Sequence, residues 1–448
     1  MELSSYAAHP LEPLTPHNSK GATEMDCNTK LEVITDRVLI VGIDVAKKEH
    51  VARIIDNRGV ELSERIHFEN TREGFGSFTD NINKVKDLHE KESVIIGLEP
   101  TGIYGNTLIN YLQLNGYHVV YILGMQVKRI KELEDNSPSK NDYKDAKVIA
   151  SLVKDGYYRK IRTFSNDIAE LKDATRHAYQ ITKKLTRVKC QIDNFLTQYF
   201  PEFSVAFKDI DRKTALATLR LFPLPEQICV LTAEQIAQAW RSEGVIKGIG
   251  IKKAHQLKHL AANTIGLKAS ISTSINFKAL MDEYDMLISR EQAIWKRIKI
   301  LLEPNADFHT IMLIPHMTLK MAAYLLSEVG NFRDFSHPQQ IVRLAGFNLQ
   351  ECSSGKSRGT SEITKRGRPM LRRVLYFIVL EQLKRAAPEW CLLHKRYTTR
   401  KNNPLKKMQS VIALCCKLLK VVWGMINNGA PYDPDMVLGK KAMLPNAV

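Results

Sequence analysis

The feature that most restricts the fold of this chain is an apolar run, residues 38–43, that ends in a single acidic residue, Asp44. A run of this length that is rich in Val and Ile predicts a β-strand. A second β-rich run at 51–55, followed by a turn at 57–59 and the short run 60–62, predicts a hairpin meander. A carboxylate within such a strand is costly to bury alone. Asp44 therefore needs hydrogen-bond donors, a buried Lys or Arg, or a metal ion.

The elements that follow alternate between strands and helices. Their patterns predict strands at 93–99 and 117–123, and helices at 71–86, 104–114, around 128–131 (a basic helix) and 142–155. Three meander strands followed by this alternation give the order βββαβαβα. That order predicts an α/β domain of the ribonuclease-H-like fold over residues 38–160.

Four carboxylates fall near the ends of these predicted elements. Asp44 lies on the first strand, Glu99 at the end of the fourth, and Asp142 and Asp145 share one face near the start of the last helix. In such a sheet the first and fourth strands are neighbours and this helix crosses their ends, so we expect the acids to converge. Together they would repel without cations, and their oxygens suit Mg²⁺ or Mn²⁺ acting on phosphodiesters. For the helical pair, interaction with the helix dipole is the alternative.

The middle of the chain is predicted to be helical. Residues 166–205 and 277–302 have the spacing of two long amphipathic helices, which suggests a coiled-coil linker over 161–305 or simply core packing within the chain. A glycine-flanked turn lies between them and resembles the phosphate grip of a helix-hairpin-helix, with an ordinary interhelical turn as the alternative. The residues of this turn that we expect to contact nucleic acid are Gly248, Gly250, Lys252 and Lys253.

The positive charge of the chain is concentrated near its C-terminal end. The net charge is +17, and residues 356–441 contain nineteen Lys and Arg against five Asp and Glu. A basic domain of this kind predicts a polyanionic partner, most commonly nucleic acid. A basic face that is merely solvated is the alternative.

A loop of small residues precedes a predicted helix in this basic region. The loop contains the adjacent serines Ser353 and Ser354, and the basic residues around it are Lys356, Arg358, Lys365, Arg366, Arg368, Arg372 and Arg373. One interpretation is a surface that binds phosphate. The other is that a serine attacks phosphorus while the arginines stabilise the developing charge.

The cysteines, the N-terminal residues and the apolar runs limit the class of protein. Seven cysteines without CxxC spacing predict a reducing compartment and no zinc site. Residues 1–37 have no signal-peptide pattern and predict a flexible tail. The longest apolar runs are interrupted by charged residues, so we expect a cytoplasmic protein with no membrane partner.

Three motifs around the acids resemble a known family. Residues 42–47 (GIDVAK), 98–104 (LEPTGIY) and 140–146 (KNDYKDA) resemble the acidic motifs of DEDD transposases of the insertion sequence one-ten family. Residues 344–347 (LAGF) and the basic segment 365–373 resemble the C-terminal transposase domain of that family. The segment between the two domains is longer than in short members of the family.

The resemblance implies a fold and a function. It implies a RuvC-like domain, a coiled-coil linker and a small, mostly α-helical C-terminal domain over 306–448. It also implies that a serine, Ser354 or alternatively Ser353, attacks DNA and becomes covalently attached, assisted by Mg²⁺ on Asp44, Glu99, Asp142 and Asp145. The expected partners are element and target DNA, a structured noncoding guide RNA, and further subunits in a homodimer or homotetramer.

Two other classes of protein fit parts of the sequence. A metal-dependent nuclease or Holliday-junction resolvase would use the same acids with water as the nucleophile. A non-catalytic nucleic-acid-binding protein would use only the basic region. Intact acids in all three motifs argue against the second of these.

Overall fold

The computed structural model describes residues 27–99, 102–134, 142–162, 165–246, 250–350, 353–354, 357–358 and 362–439. Of Asp142, Ser353, Ser354 and Arg358 it describes the backbone, not the side chain. The chain divides into two compact units, which are described separately: residues 1–163 with 334–336, and residues 164–333 with 337–448. Gly248, Lys356 and most of the predicted tail lie outside the described residues.

The first unit contains a six-stranded mixed sheet with the order β3-β2-β1-β4-β5-β6. Its central strand β1 is antiparallel to β2 and parallel to β4. The strands are β1 (Val38–Asp44), β2 (Glu49–Ile55), β3 (Ile66–Glu69), β4 (Ser93–Leu98), β5 (His118–Tyr121) and β6 (Arg159–Lys160). This arrangement is consistent with the predicted ribonuclease-H-like fold.

Helices cover both faces of this sheet. The helices are α1 (Cys27–Glu32), α2 (Arg72–Leu88), α3 (Asn106–Leu114), α4 (Gly124–Glu134) and α5 (Asp142–Lys154). Leu39, Val41 and Ile43 of β1 pack with α2 and α3, whereas Val38 and Ile40 pack with α4 and α5. Alternate residues of the buried strand therefore face different helical layers, which explains why its sequence is a continuous apolar run.

Two details of this unit differ from the sequence prediction. Val60-Glu61-Leu62 forms only an isolated bridge, Ile55 with Glu61, and the third strand begins at Ile66. The Glu61 carboxylate is instead held by Arg53, at 2.7 Å, and Lys147, at 2.8 Å. Within the predicted tail, Cys27–Glu32 is helical, and Lys30 Nζ donates to the carbonyl of Tyr158 at 2.8 Å.

The second unit is mainly helical. Its helices are α6 (Asn166–Tyr199), α7 (Phe203–Ala206), α8 (Lys213–Leu221), α9 (Pro225–Cys229), α10 (Ala233–Ser242), α11 (Ile251–Ala262), α12 (Ile271–Leu302), α13 (Ala306–Met312), α14 (Leu319–Val329), α15 (Pro338–Ala345), α16 (Pro369–Lys384), α17 (Pro388–Thr399), α18 (Lys407–Asn428) and α19 (Pro434–Leu438), with a 3-10 helix at Phe332–Asp334. Four short strands form two ladders: β7 (Leu349–Gln350) with β10 (Glu362–Ile363), and β8 (Ser353–Ser354) with β9 (Ser357–Arg358).

The two long helices α6 and α12 pack antiparallel. Arg297 near the end of α12 pairs with Glu170 near the start of α6 at 2.6 Å, and the Phe195 and Phe277 rings stack with their centroids 3.9 Å apart. The apolar stripe of α6 is buried in a core that also contains residues of α7 to α12. The stripe therefore packs within the chain, which was one of the two alternatives, and a coiled coil stays a prediction.

Within the described ranges, one helix, α18, is long and apolar enough to cross a bilayer. Of its most apolar window, 61% is buried inside the protein. Burial of this extent is typical of a core helix of a soluble domain, and Leu414, Leu418 and Val422 are fully buried.

Two paired glycines bring α5 onto the sheet. Gly42 of β1 and Gly97 of β4 are register partners. A Cβ atom at Gly42 would overlap the Ala146 carbonyl and the Ala150 amide of α5, and one at Gly97 would overlap Val153. Because the Gly42 contacts involve helix backbone, only glycine allows so close an approach there, whereas at Gly97 the space is filled by the Val153 side chain. The pair thus sets the distance of α5 from the strands.

We expect Gly42→Ala to lower the free energy of unfolding of the first unit by about 3 kcal/mol, because the backbone of α5 must move away from β1. The control is Gly76→Ala in α2, where a Cβ meets nothing within 4 Å. That change should stabilise α2 by about 0.5–1 kcal/mol. Hydrogen exchange of β1 and β4 peptides, followed by mass spectrometry, measures both. Equal protection in the two variants would contradict the close-contact argument.

Candidate active site

The register of the sheet places two acids side by side. Ile43 of β1 pairs with Leu98 of β4, and the next residue in each segment is an acid, Asp44 and Glu99. The charge of Asp44 raises the pKa of Glu99, so the two carboxylates lie within electrostatic range of each other. This is the juxtaposition that the strand pattern predicts.

Glu99 lies in a partly buried environment. Burial is the main cause that raises the pKa of its carboxyl, the charge of Asp44 adds to this, and Lys131 partly offsets both. The carboxylate also lies against Gly124, the first residue of α4, where a Cβ would overlap Glu99 Oε1. Gly124 therefore makes room for the acid.

Helix α5 carries the second pair of predicted acids. Asp145 directly precedes Ala146, whose carbonyl lies over Gly42, so the glycine contact also fixes Asp145 near the end of β1. Asp145 forms an ion pair with Lys131 of α4, and their side chains are 17% and 28% exposed. Asp142 is the first residue of the same helix. The predicted acids thus fall on elements that meet at one end of the sheet.

A lysine provides positive charge beside these acids. Lys131 pairs with Asp145 and also acts on the pKa of Glu99. Across the described side chains, no three His, Cys, Asp or Glu residues lie close enough together to hold one metal ion. The donors present are nevertheless suited to a hard cation, because Asp44 and Glu99 are adjacent carboxylates whose repulsion a cation would relieve.

Sequence reasoning recognised Lys131 only as part of a basic helix. Its role depends on the packing of α4 beside α5, which no local pattern encodes. The available signal was the expectation that a buried strand acid needs a cationic partner, together with a lysine eleven residues before Asp142.

The two serines lie on a β-hairpin arm, where the sequence predicted a loop of small residues. Ser353 pairs with Arg358 and Ser354 with Ser357 in one ladder, and the β7–β10 ladder encloses it in sequence. The serines therefore form the paired strand β8 of this arm.

Glycines secure the base of this arm. Gly346 ends α15 in the left-handed conformation, at φ +73°, and its Cβ would crowd Gly367 and Arg372. A Cβ at Gly367 would in turn overlap the Leu344 carbonyl. Thr364 adds a side-chain hydrogen bond to Asn348 at 2.8 Å. The base of the hairpin is consequently fixed to the end of α15.

Three of the predicted phosphate-binding arginines have partners within the protein. Arg372 donates to the Ala345 carbonyl at 2.9 Å, Arg368 donates to the Glu328 carbonyl, and Arg373 donates to the Tyr179 hydroxyl at 2.8 Å. Lys365 and Arg366 are exposed. The first three support the fold around the hairpin, and the last two are the better placed for a ligand.

The predicted turn near residue 250 begins a helix. Gly250 is the N-cap of α11, and Lys252 and Lys253 lie in its first turn. Lys253 Nζ lies 5.3 Å from the centroid of the Phe207 ring and 3.1 Å from Gln256 Oε1. These residues line a basic groove.

Comparison with known proteins agrees with this arrangement. Residues 41–201 match the family model of IS110-type DEDD transposases, and residues 309–395 match the model described as Transposase IS116/IS110/IS902 family. The chain is 20% identical, over 409 residues, to the Insertion element IS110 uncharacterized 43.6 kDa protein of Streptomyces coelicolor, covering 90% of this chain and 97% of that protein. It is 24% identical, over 179 residues, to the transposase for insertion sequence element IS1111A of Coxiella burnetii, covering 39% and 47% of the two chains.

The two matched regions together cover more than half of the chain, and each contains one part of the predicted chemistry. The fold, the adjacent acids Asp44 and Glu99, and the matches to the two family models define the chain as an enzyme of the DNA transposase class. Within that class, it belongs to the IS110 family of insertion-sequence transposases.

We expect Glu99→Gln to raise the melting temperature of the metal-free protein at pH 8 by about 1–3 °C. The folded state holds the Glu99 proton more tightly than the unfolded state does, because the pKa of Glu99 is raised. Ionised Glu99 therefore costs stability above the usual Glu pKa, and this cost disappears as the pH falls. Differential scanning fluorimetry in EDTA from pH 8 to pH 5 should show the gain shrinking. Glu64→Gln, at an exposed position, should leave the melting temperature unchanged throughout.

Proposed function

We propose that the protein moves its own insertion sequence by cutting and rejoining DNA through a serine–DNA covalent intermediate, guided by an element-encoded RNA. The observation that supports this most directly is the paired strand β8, which carries Ser353 and Ser354 inside the second matched region. A nucleophile on an arm with a fixed base can be held at a phosphate, whereas a loose loop would have to be ordered first.

The chemistry conserves the phosphodiester bond. The oxygen of Ser354 bonds to phosphorus as the bond from phosphorus to a deoxyribose oxygen breaks, and the serine proton leaves to a base or to solvent. The reverse attack, by a deoxyribose hydroxyl of another strand, rejoins DNA and frees the serine. No nucleotide cofactor is required, because each step exchanges one phosphodiester for another. Ser353 is the alternative nucleophile.

The acids of the first unit would hold Mg²⁺ or Mn²⁺. Transposases of this family generally depend on divalent metal ions. The proposed ligands are Asp44, Glu99, Asp142 and Asp145. A bound ion would supply positive charge at the phosphate that reacts. The adjacent Asp44 and Glu99 carboxylates support this assignment.

Lys131 is proposed to act as the counter-ion of this site before metal binds. Its ammonium group neutralises Asp145 and reduces the raised pKa of Glu99. A divalent ion at the same carboxylates would have to displace the lysine from Asp145 or accept its repulsion. Lys131 thus lowers metal affinity while keeping the acids from repelling one another.

The partners follow from charge and from the family. Element and target DNA and a guide RNA would be contacted by the exposed residues Lys365 and Arg366, and by Lys356 and Arg358 near the serines. Gly250, Lys252 and Lys253 would contribute a second contact. We propose a cytoplasmic homodimer or homotetramer, since two element ends must be cut and exchanged together.

A metal-dependent nuclease or Holliday-junction resolvase is the second candidate. The Asp44–Glu99 pair on a ribonuclease-H-like sheet favours it, because such a pair can direct water at phosphorus without a serine. The two candidates differ in whether protein becomes attached to DNA.

We expect Ser354→Ala to abolish a covalent protein–DNA adduct, lowering its yield by at least about a thousandfold, because the attacking oxygen is removed. The assay uses protein with its copurifying RNA, Mg²⁺ and labelled element-end DNA, resolved on a denaturing gel. Asp44→Asn should also lose the adduct. Ser357→Ala is the matched control, since Ser357 pairs with Ser354 across the hairpin.

Retention of the adduct in Ser354→Ala and its loss in Ser353→Ala would reassign the nucleophile to Ser353. Cleavage by the wild-type protein without any adduct would instead establish the water-attacking nuclease and overturn the serine mechanism.

We expect Lys131→Met to tighten Mn²⁺ binding by about tenfold, because a competing charge is removed from the carboxylates. Free Mn²⁺ is measured by electron paramagnetic resonance during titration of protein without nucleic acid. Lys128→Met is the control, since Lys128 lies on the same helix with 79% of its side chain exposed. Weaker Mn²⁺ binding in Lys131→Met would show that the lysine positions Asp145 for the metal rather than competing with it.

A further inference from the structure

We infer that the segment between the two matched regions contains a separate binding site for the sugar–phosphate backbone of nucleic acid. The site is a groove between the N-terminal ends of α8 and α11, with a volume of about 1090 Å³. The inference rests on the proposed function only in assigning Lys252 and Lys253 to nucleic acid. The inference adds three basic residues on the other wall of the groove, Lys208, Arg212 and Lys213.

The charged residues that line the groove are all basic. Its lining contains five basic side chains and no Asp or Glu: Lys208, Arg212, Lys213, Lys252 and Lys253. Within the described part of the chain, none of these five forms an ion pair with a carboxylate. Five like charges around one cavity repel one another, and an anion from outside the chain would relieve this repulsion.

The acidic residues next to the groove, Asp209 and Asp211, have hydrogen-bond or ion-pair partners outside its lining. Asp211 lies between two of the basic residues in sequence, but its carboxylate contacts Lys189 at 2.5 Å and the Tyr284 hydroxyl at 3.1 Å. The Asp209 carboxylate accepts a hydrogen bond from the Asp211 amide at 3.0 Å. The acids of this loop therefore shape the backbone and leave the groove positive.

Two helices begin at the groove without side-chain caps. Arg212 precedes α8 and Gly250 precedes α11, and neither residue has a side-chain acceptor that could cap its helix. A Cβ at Gly250 would meet nothing within 4 Å, so the backbone is open there. Uncapped first-turn amides are donors that suit phosphate oxygens, and they add to the charge of the five side chains.

The walls of the groove are held rigidly. Thr218 of α8 accepts a hydrogen bond from the buried Trp240 indole at 2.9 Å, and Lys258 of α11 donates to the Leu231 carbonyl at 2.6 Å. Phe207 packs against Trp240, with ring centroids 6.3 Å apart. Basic groups on a rigid frame lose little conformational entropy when an anion binds.

The lining favours backbone recognition over base recognition. Its only aromatic residue, Phe207, is buried and covered by Lys253, so it offers no ring for base stacking. Val205 and Ile246, which are 60% and 86% exposed, can contact the apolar faces of sugars. The groove should therefore bind without sequence preference. It lies in residues 205–256, outside the matched ranges 41–201 and 309–395.

The test compares two double variants, each losing two charges. Arg212→Gln with Lys213→Gln changes the new wall of the groove, and Lys296→Gln with Lys299→Gln removes two exposed lysines of α12 as the control. Fluorescence anisotropy measures binding of the full chain to 20-nucleotide single-stranded DNA, duplex DNA and RNA, all unrelated in sequence to the element. Thermal unfolding checks that both variants fold as the wild type does.

We expect the groove variant to bind about tenfold more weakly at 100 mM salt and to lose about two units from the slope of log affinity against log salt. The control should change affinity by less than about twofold. A loss for only one of the three probes supports the site and identifies the nucleic acid it takes. Equal, small effects of both variants on every probe would overturn the site.

This outcome is independent of the serine chemistry. Ser354→Ala should bind all three probes as the wild type does, and the groove variant should still form the covalent adduct at saturating protein. A protein that shows no adduct but keeps the groove effect would refute the proposed function and leave this site intact.

Discussion

The close contact between helix α5 and the central strands is the constraint on which the candidate active site depends. Gly42 and Gly97 lie side by side in neighbouring strands; the α5 backbone lies where a Gly42 side chain would be, and the Val153 side chain of α5 lies where a Gly97 side chain would be. The helix therefore approaches the sheet more closely than ordinary side chains allow. Asp145, one residue from this contact, is held near the end of the strand that carries Asp44. The position of Asp145 near Asp44 thus depends on glycine at positions 42 and 97, where a Cβ would push α5 away from the sheet.

The strands and the first two acids could be predicted because their signals are local. A buried central strand must be apolar on both faces, so its length and the position of Asp44 follow from residues 38–44 alone. Neighbouring parallel strands then bring Glu99 beside it. The third strand was less predictable, because ion pairs from Arg53 and Lys147 hold Glu61 and leave only an isolated bridge there. Lys147 lies on a helix far away in sequence.

The use of each basic residue could not be predicted from the charge count. The C-terminal excess of positive charge is real, but Arg368 and Arg372 satisfy backbone carbonyls at helix ends, and Arg373 lies on Tyr179. Such contacts join segments that are distant in sequence. Lys131 is the reverse case, since an unremarkable lysine of a basic helix pairs with Asp145. Only tertiary packing distinguishes a structural arginine from one that is available to a ligand.

The candidate active site and the basic groove carry charges of opposite sign. In the first unit, Lys131 pairs with Asp145 and lowers the pKa of Glu99, while burial and the charge of Asp44 raise that pKa. In the second unit, five cations line a groove that contains no acid. The first site thus concentrates negative charge and the second positive charge. A divalent cation would correct the first and a phosphate backbone the second, and a transposase meets both when it engages DNA. Each site can therefore remain strained in the free protein and be stabilised by its ligand, so that binding energy is gained where the chain leaves charge unbalanced.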